Sequence, residues 1–178
     1  MTTHSVVKFV VVLMLVACAG YTFAQASGGQ APAAAPAGPS AYLTPIGQGI
    51  SLENAKKAVA AALAETRKNG WLMAAAVVSP GGYLVYYEKM DNTQLGSAEV
   101  AIEKARSAAL YKRPTKAFQD AVEKGGVGLR VFALKGAVPV EGGLPIMMDG
   151  KLVGALGLSG DTSEHDGQCA AAGVAALK

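Results

Sequence analysis

Between Ser27 and Pro45 the chain carries no charged residue and little besides Ala, Pro, Gly, Ser and Gln. Such a stretch cannot bury enough apolar surface to offset the entropy of ordering it, and its Pro and Ala make it a semi-stiff tether. It divides the 178 residues into parts that obey different rules. Whatever folds around a core must lie downstream, in about 130 residues, the length of one domain. The expected boundaries are a leader over 1–26, an Ala/Pro/Gly linker over 27–48 and a single domain over 49–178.

The leader follows the plan of an export signal. Lys8 is its one charge, ahead of the apolar run Phe9–Ala17. That run is shorter than the roughly 20 residues a helix needs to cross a bilayer. Ala24-Gln25-Ala26 is an A-x-A cleavage site. A second reading stays open, because Leu15-Val16-Ala17-Cys18 resembles a lipobox, which would leave Cys18 lipid-modified and the domain anchored to a membrane. Either reading places the domain outside the cytoplasm, periplasmic or secreted in the first case and lipid-anchored in the second. The folded part keeps one cysteine, Cys169, read as a small buried hydrophobe on a helix, with an intermolecular bridge or a soft ligand as the sharper alternatives.

The 16 Lys and Arg against 13 Asp and Glu give a formal charge of +3, with basic and acidic residues interleaved. No basic stripe with aromatics between its charges emerges, so nucleic-acid binding is not expected.

Helical spacing of Ala55, Ala58, Val59, Ala62, Leu63 and Thr66, behind a Ser51 cap and ahead of Asn69-Gly70, predicts a first helix. Trp71–Ser79 and Tyr83–Glu88, around Pro80-Gly81-Gly82, read as a hairpin. Gly96–Lys112 reads as a helix with Val100, Ala101, Lys104, Ala105 and Ala108 on one side, broken at Pro114. Thr115 then caps a short helix through Glu123, and Leu129–Leu134 reads as a strand. Ile146–Met148 and Lys151–Leu158 flank Asp149-Gly150, a dipeptide suited to a two-residue hairpin turn. Gly154 and Gly157 weaken the second of these strands unless something packs closely over them. Asp161-Thr162-Ser163-Glu164 opens a last helix with a capping-box pattern. Hairpin strands and intervening helices imply an α+β fold.

Several runs in this order carry a resemblance: Ser51–Ala55, Ala76–Gly82, Lys89-Met90-Asp91, Lys104–Ala108, Arg113-Pro114-Thr115, Val138–Ile146, Gly154–Gly160 and the tail from Asp166 to Gly173. Together they resemble the GlcG/HbpS haem-binding family, which includes the C-terminal domain of PduO-type corrinoid adenosyltransferases, over about residues 50–178. The resemblance implies a profilin-like α/β/α arrangement around a five-stranded antiparallel sheet. It also implies homo-oligomers, often octamers, and for some members haem binding, with haem or iron sensing and haem degradation.

Each candidate residue has a bland reading beside the functional one. Glu141-Gly142-Gly143 lets backbone amides approach a ligand, with Glu141 as polar partner or catalytic acid–base group; the bland reading is a tight turn. Arg113 suits a haem propionate. Thr115 is either a donor or oxygen ligand near the iron, or a helix cap. Lys104 and Arg106 are either propionate contacts or exposed charges paired with Glu103 or Glu99. Asp161, Glu164 and His165 gather oxygen and nitrogen donors suited to iron; the bland reading is an acidic first turn that complements the helix dipole. His165 departs from the Gln-like residue usual in the family at this place.

The leading expectation is an exported protein that binds haem or a similar small planar ligand, or that senses or degrades it. The alternatives are a small-molecule enzyme with isomerase-like acid–base chemistry at Glu141, and a non-catalytic accessory subunit of a periplasmic oxidoreductase. No Ser-His-Asp arrangement, CxxC, HExxH or phosphate-cradling loop is present.

Overall fold

The structure is a computed structural model and describes residues 41–178. The expected leader and residues 27–40 of the expected linker lie outside the described residues.

Helix α1 runs Leu52–Lys68 and buries the expected stripe, Ala55, Ala58, Val59, Ala62, Leu63 and Thr66. The Asn54 amide donates to the Ser51 hydroxyl at 3.2 Å, so the helix starts where its first orphan donors find an acceptor. Strands β1 (Ala74–Val78) and β2 (Leu84–Lys89) form the first hairpin. Helix α2 (Ser97–Tyr111) and the short helix α3 (Lys116–Glu123) follow. Strands β3 (Gly143–Met148) and β4 (Lys151–Ser159) form the second hairpin, and helix α4 (Ser163–Ala175) ends the domain. Its turn residues Asp149 and Gly150 have φ of 49° and 72°, as the Asp-Gly pair predicts.

The four strands pair antiparallel in the order β2-β1-β4-β3. All five residues of β1 are buried, so this strand is covered on both faces. Its side chains divide by parity. Ala75 and Val77 join Val59, Ala62, Leu63, Leu156 and Leu158 in the larger core, under α1 and α4. Ala74 and Ala76 pack with Ala101, and Val78 with Ala105 and Ala108, under α2. The result is three layers, helix–sheet–helix, as expected for the fold class. Each fully buried Leu or Val of the larger core contributes roughly 1.5–3 kcal/mol.

The α2 face is built for close approach. Gly157 lies opposite Ala76 on one side and Gly143 on the other, so a row of minimal side chains crosses the sheet. A Cβ on Gly157 would overlap the Ala101 carbonyl and come 2.5 Å from the Ala105 nitrogen. One on Gly143 would overlap the Lys104 carbonyl. The backbone of α2 therefore rests directly on the strands, which is the close packing that excuses glycine inside β4.

Two expectations need correction. Leu129–Leu134 is not a strand: Gly126–Ala133 is 3-10 helical, and the sheet has four strands, not five. Gly125 and Gly126 have positive φ, and Gly128 sits so tightly on the Ala121 carbonyl that a side chain would not fit. These glycines turn the chain back onto α3, and of its residues only Val131 is buried. A strand there would lack both a partner and a core face. The position beside the start of β4, past the end of β1, is taken instead by the segment Pro45–Ile50, which includes the end of the expected linker. Leu152 donates to the Pro45 carbonyl at 2.9 Å, Gly47 to the Leu152 carbonyl at 2.8 Å and Ile50 to the Val153 carbonyl at 2.8 Å. Ile46 makes a parallel bridge with Leu152.

Candidate functional site

The seating of α2 on Gly143 and Gly157 carries Lys104 inward, beneath the loop that enters β3. Its side chain is 1% exposed, and its ammonium donates to Asp166 Oδ2 at 2.6 Å. Asp166 projects from the first turn of α4 and also accepts from the Asp161 amide through Oδ1 at 3.3 Å. Burial pushes the Asp166 carboxyl above the usual carboxylate range, while the Lys104 ammonium pulls it back down. Lys104 therefore does not pair with Glu103 or Glu99, as an exposed helix charge would. Its one counter-charge comes from across the fold, and its ammonium is not at the surface to meet a propionate.

Gly142 covers this ion pair. Its φ is 125°, and a Cβ on it would come 2.8 Å from Asp166 Cβ and 2.9 Å from Lys104 Nζ. Only glycine fits both the backbone angle and the space. Gly143 is clamped by Thr115: its amide donates to the Thr115 hydroxyl at 3.0 Å, and its carbonyl accepts from the Thr115 amide at 3.0 Å. The cap reading of Thr115 is corrected here, because no hydrogen bond joins its side chain to the start of α3. The buried hydroxyl serves the Gly-Gly loop instead.

Glu141 stands at the rim of this arrangement. Its amide donates to Gln119 Oε1 at 2.8 Å, and its carboxylate lies 3.8 Å from the Lys116 ammonium. The carboxylate fits against α4 because Gly167 has no side chain to displace it. Burial raises its carboxyl, Lys116 opposes that, and the negative charges of Glu164 and Asp120 add to it. So Lys104, Thr115, Glu141, Gly142 and Gly143 do come together, joined by Asp166, Lys116, Gln119 and Gly167.

The other candidates stand apart. Arg106 donates to the Gly82 carbonyl at 3.0 Å and pairs with Glu103 at 2.8 Å, beside the first hairpin turn. Arg113 donates to the Tyr111 carbonyl at 3.1 Å, with its guanidinium 5.0 Å from the Tyr42 ring and 5.5 Å from the Phe118 ring. At the start of α4, Thr162 caps the helix by accepting from the His165 amide at 3.3 Å. Asp161 accepts from the Thr162 amide at 2.8 Å and meets His165 Nδ1 at 2.7 Å. The His165 ring stacks on Trp71, with centroids 3.9 Å apart and planes 14° apart. Hydrogen bonds from backbone and side chains hold the Asp161 and Glu164 carboxyls below their usual values. Among the described residues no three His, Cys, Asp or Glu side chains gather as a metal cluster. Asp161, Glu164 and His165, expected as an iron-binding set, lie in a hydrogen-bonded helix start in which Asp161 and His165 are in contact.

Sequence reasoning missed Asp166, Gln119, Lys116 and the Trp71 stack. One signal was present: Lys104 falls on the apolar stripe of α2, where a charge needs a buried partner.

A sheet covered on both faces by helices, with a Gly-Gly loop seated on a buried Lys–Asp pair, defines the class: an α+β domain with its polar cluster where α2 and α4 meet β3. The chain belongs to the family described as haem degrading protein HbpS-like, whose model matches residues 50–175. It is 37% identical to protein GlcG of Escherichia coli over 110 residues, 62% of this chain and 81% of GlcG. A double mutant of Streptomyces reticuli HbpS has a similar structure, with 30% identity and a TM-score of 0.68 over 83% of this chain and 99% of that one. The crystal structure of a PduOC–haem complex matches with 28% identity and a TM-score of 0.66, over 72% and 94%.

Proposed function

We propose that this protein binds haem. The observation that carries the reading is the match to PduOC, solved as a haem complex, over 94% of that chain. The family description points the same way. The described residues supply groups of the right kinds, at separate places on the surface. A haem needs an axial donor, cations for its propionates and apolar surface for the ring. The described residues hold an imidazole, His165, and cations beside aromatic or apolar side chains: Arg113 over Tyr42 and Phe118, and Lys68 at the end of α1, just ahead of Trp71 and the 41% exposed Leu72. When bound, the iron porphyrin supplies ligand-exchange and redox chemistry. The protein's part is to hold the ring and screen it from water.

Two further parts of the reading rest on other observations. The leader, with Lys8, the Phe9–Ala17 run and Ala24-Gln25-Ala26, supports export, to the periplasm or beyond, with Cys18 as the alternative lipid anchor. The exposed apolar side chains of the 3-10 segment, Val127, Leu129 and Phe132, support association of several copies.

Titration of the purified protein with hemin tests the central claim. A saturable, shifted Soret band is expected, and an unshifted, non-saturating spectrum rejects haem binding. A second reading, acid–base chemistry on a small organic molecule, is favoured by one observation. Glu141 is a partly buried carboxyl raised by its surroundings, beside a rigid Gly-Gly loop. It predicts a turnover that Glu141→Gln abolishes while the fold persists.

A further inference from the structure

Helix α1 ends on the one Asn-Gly pair in the sequence, Asn69-Gly70. Asn69 is the C-cap, and Gly70, at φ 75°, takes the left-handed step that turns the chain toward Trp71 and β1. Both residues are exposed, and the space where a Gly70 side chain would stand is open, with no atom within 4 Å. A glycine nitrogen next to an asparagine side chain is the least hindered nucleophile a backbone offers, because no Cβ shields it. Once that nitrogen gives its proton to hydroxide, it can attack Asn69 Cγ. A C–N bond forms, the bond from Cγ to the side-chain nitrogen breaks, and ammonia leaves. Water then opens the resulting cyclic imide at one or other carbonyl, leaving aspartate or isoaspartate. Nothing is oxidised or reduced.

The fold holds this reaction back. Ring closure needs Asn69 Cβ and the Gly70 nitrogen to eclipse each other about the Cα–C bond. With ψ at −2°, the Gly70 nitrogen eclipses the backbone nitrogen of Asn69 instead. The Gly70 amide is also occupied, donating to the Arg67 carbonyl at 3.1 Å. The Asn69 side-chain amide donates to the Glu65 carbonyl at 2.8 Å and to Glu65 Oε1 at 3.1 Å. All these bonds belong to the last turn of a helix at an exposed end, where local opening costs least.

We propose that Asn69 is a deamidation site gated by the C-cap of α1. Its conversion reaches beyond the residue. Glu65 Oε1 also accepts from Gln168 Nε2 at 2.8 Å, which ties α1 to α4. Hydrogen bonds from Gln168 and then Asn69 hold the Glu65 carboxyl below its usual value. A carboxylate at position 69 only accepts, so Glu65 loses a donor and gains a like charge beside it. Isoaspartate also lengthens the backbone by one carbon and displaces Gly70 from the cap. Either product loosens the tie between the first and last helices.

The test is peptide mapping by mass spectrometry of the full chain held at mildly alkaline pH, folded and in denaturant, beside Glu65→Ala and Asn69→Asp. In the folded protein the amide-to-acid mass gain is expected at Asn69 ahead of Asn54 and Asn92, as a mixture of aspartate and isoaspartate. Denaturant, by removing the cap, is expected to speed conversion about tenfold. Glu65→Ala removes one acceptor of the Asn69 amide and is expected to convert severalfold faster than the wild type, with circular dichroism showing it folded. Asn69→Asp is expected to exchange amide hydrogens faster in the last turn of α1 and around Gln168. Deamidation at this site is ruled out if Asn69 keeps its amide in the folded protein while Asn54 or Asn92 converts, or while the denatured chain converts fully. Gating by the cap is ruled out if folded and denatured chains convert at one rate, or if folded Glu65→Ala is no faster than the wild type.

Discussion

Lys104 lies almost wholly out of solvent and survives there because Asp166 meets it at 2.6 Å. Removing one member of such a pair strands the other as an uncompensated buried charge. Lys104→Met is therefore expected to cost about 3–5 kcal/mol in chemical denaturation. The double variant Lys104→Met/Asp166→Leu should recover much of that loss; a double variant no more stable than the single one would refute the pairing as the cause. Half of this was legible beforehand, since Lys104 falls on the apolar side of its helix. The partner, 62 residues away, was not, because helical spacing carries no information about contacts across the fold. Glu141 makes a prediction of the opposite kind. Its carboxyl is raised by burial, so its contribution to stability is full below the unfolded value and is lost as pH rises through the folded one. Glu141→Gln should leave stability at neutral pH equal or higher and flatten its decline between weakly acidic and neutral pH, as thermal melts across that range would show.

At the scale of elements, periodicity was informative wherever one face of an element is buried. The stripe of α1, both hairpins and the Asp149-Gly150 turn stand where alternation, helical spacing and turn chemistry place them. The segment after α3 was not legible by the same means. Val131-Phe132 has β propensity, but the glycines before it set its backbone, and no neighbouring strand is there to pair with it. Gly157 shows how strongly one backbone contact can govern an element. Gly157→Ala would lift α2 from β4 at Ala101 and Ala105, and the expected loss is about 1–3 kcal/mol or more, read from denaturation midpoints. Such a loss should come with faster hydrogen exchange in α2, whereas a fully stable variant would mean that the helix can retreat without penalty.

For the molecule as a whole, the layered fold was legible from the order of helices and hairpins, and the family from the ordered runs of residues. The candidate site was legible in its loop, Glu141-Gly142-Gly143, and in Thr115. It was not legible in its closure, which α4 supplies from the far end of the chain. The proposed association of copies is tested at this scale too. Val127 and Phe132 are 74% and 67% exposed, which is costly for an isolated molecule. If copies associate through this surface, Phe132→Asp lowers the mass seen by light scattering without unfolding the domain, and an unchanged mass rejects association through it. The bonds that join Pro45, Gly47 and Ile50 to the start of β4 have a mechanical consequence. The segment runs parallel to β4, so a pull on residue 41 directed back along the strand loads these three bonds together, in shear, instead of peeling them one by one. The domain is thus gripped at its entry as a rope is held by a cleat, and tension arriving there spreads into the centre of the sheet before any helix is disturbed.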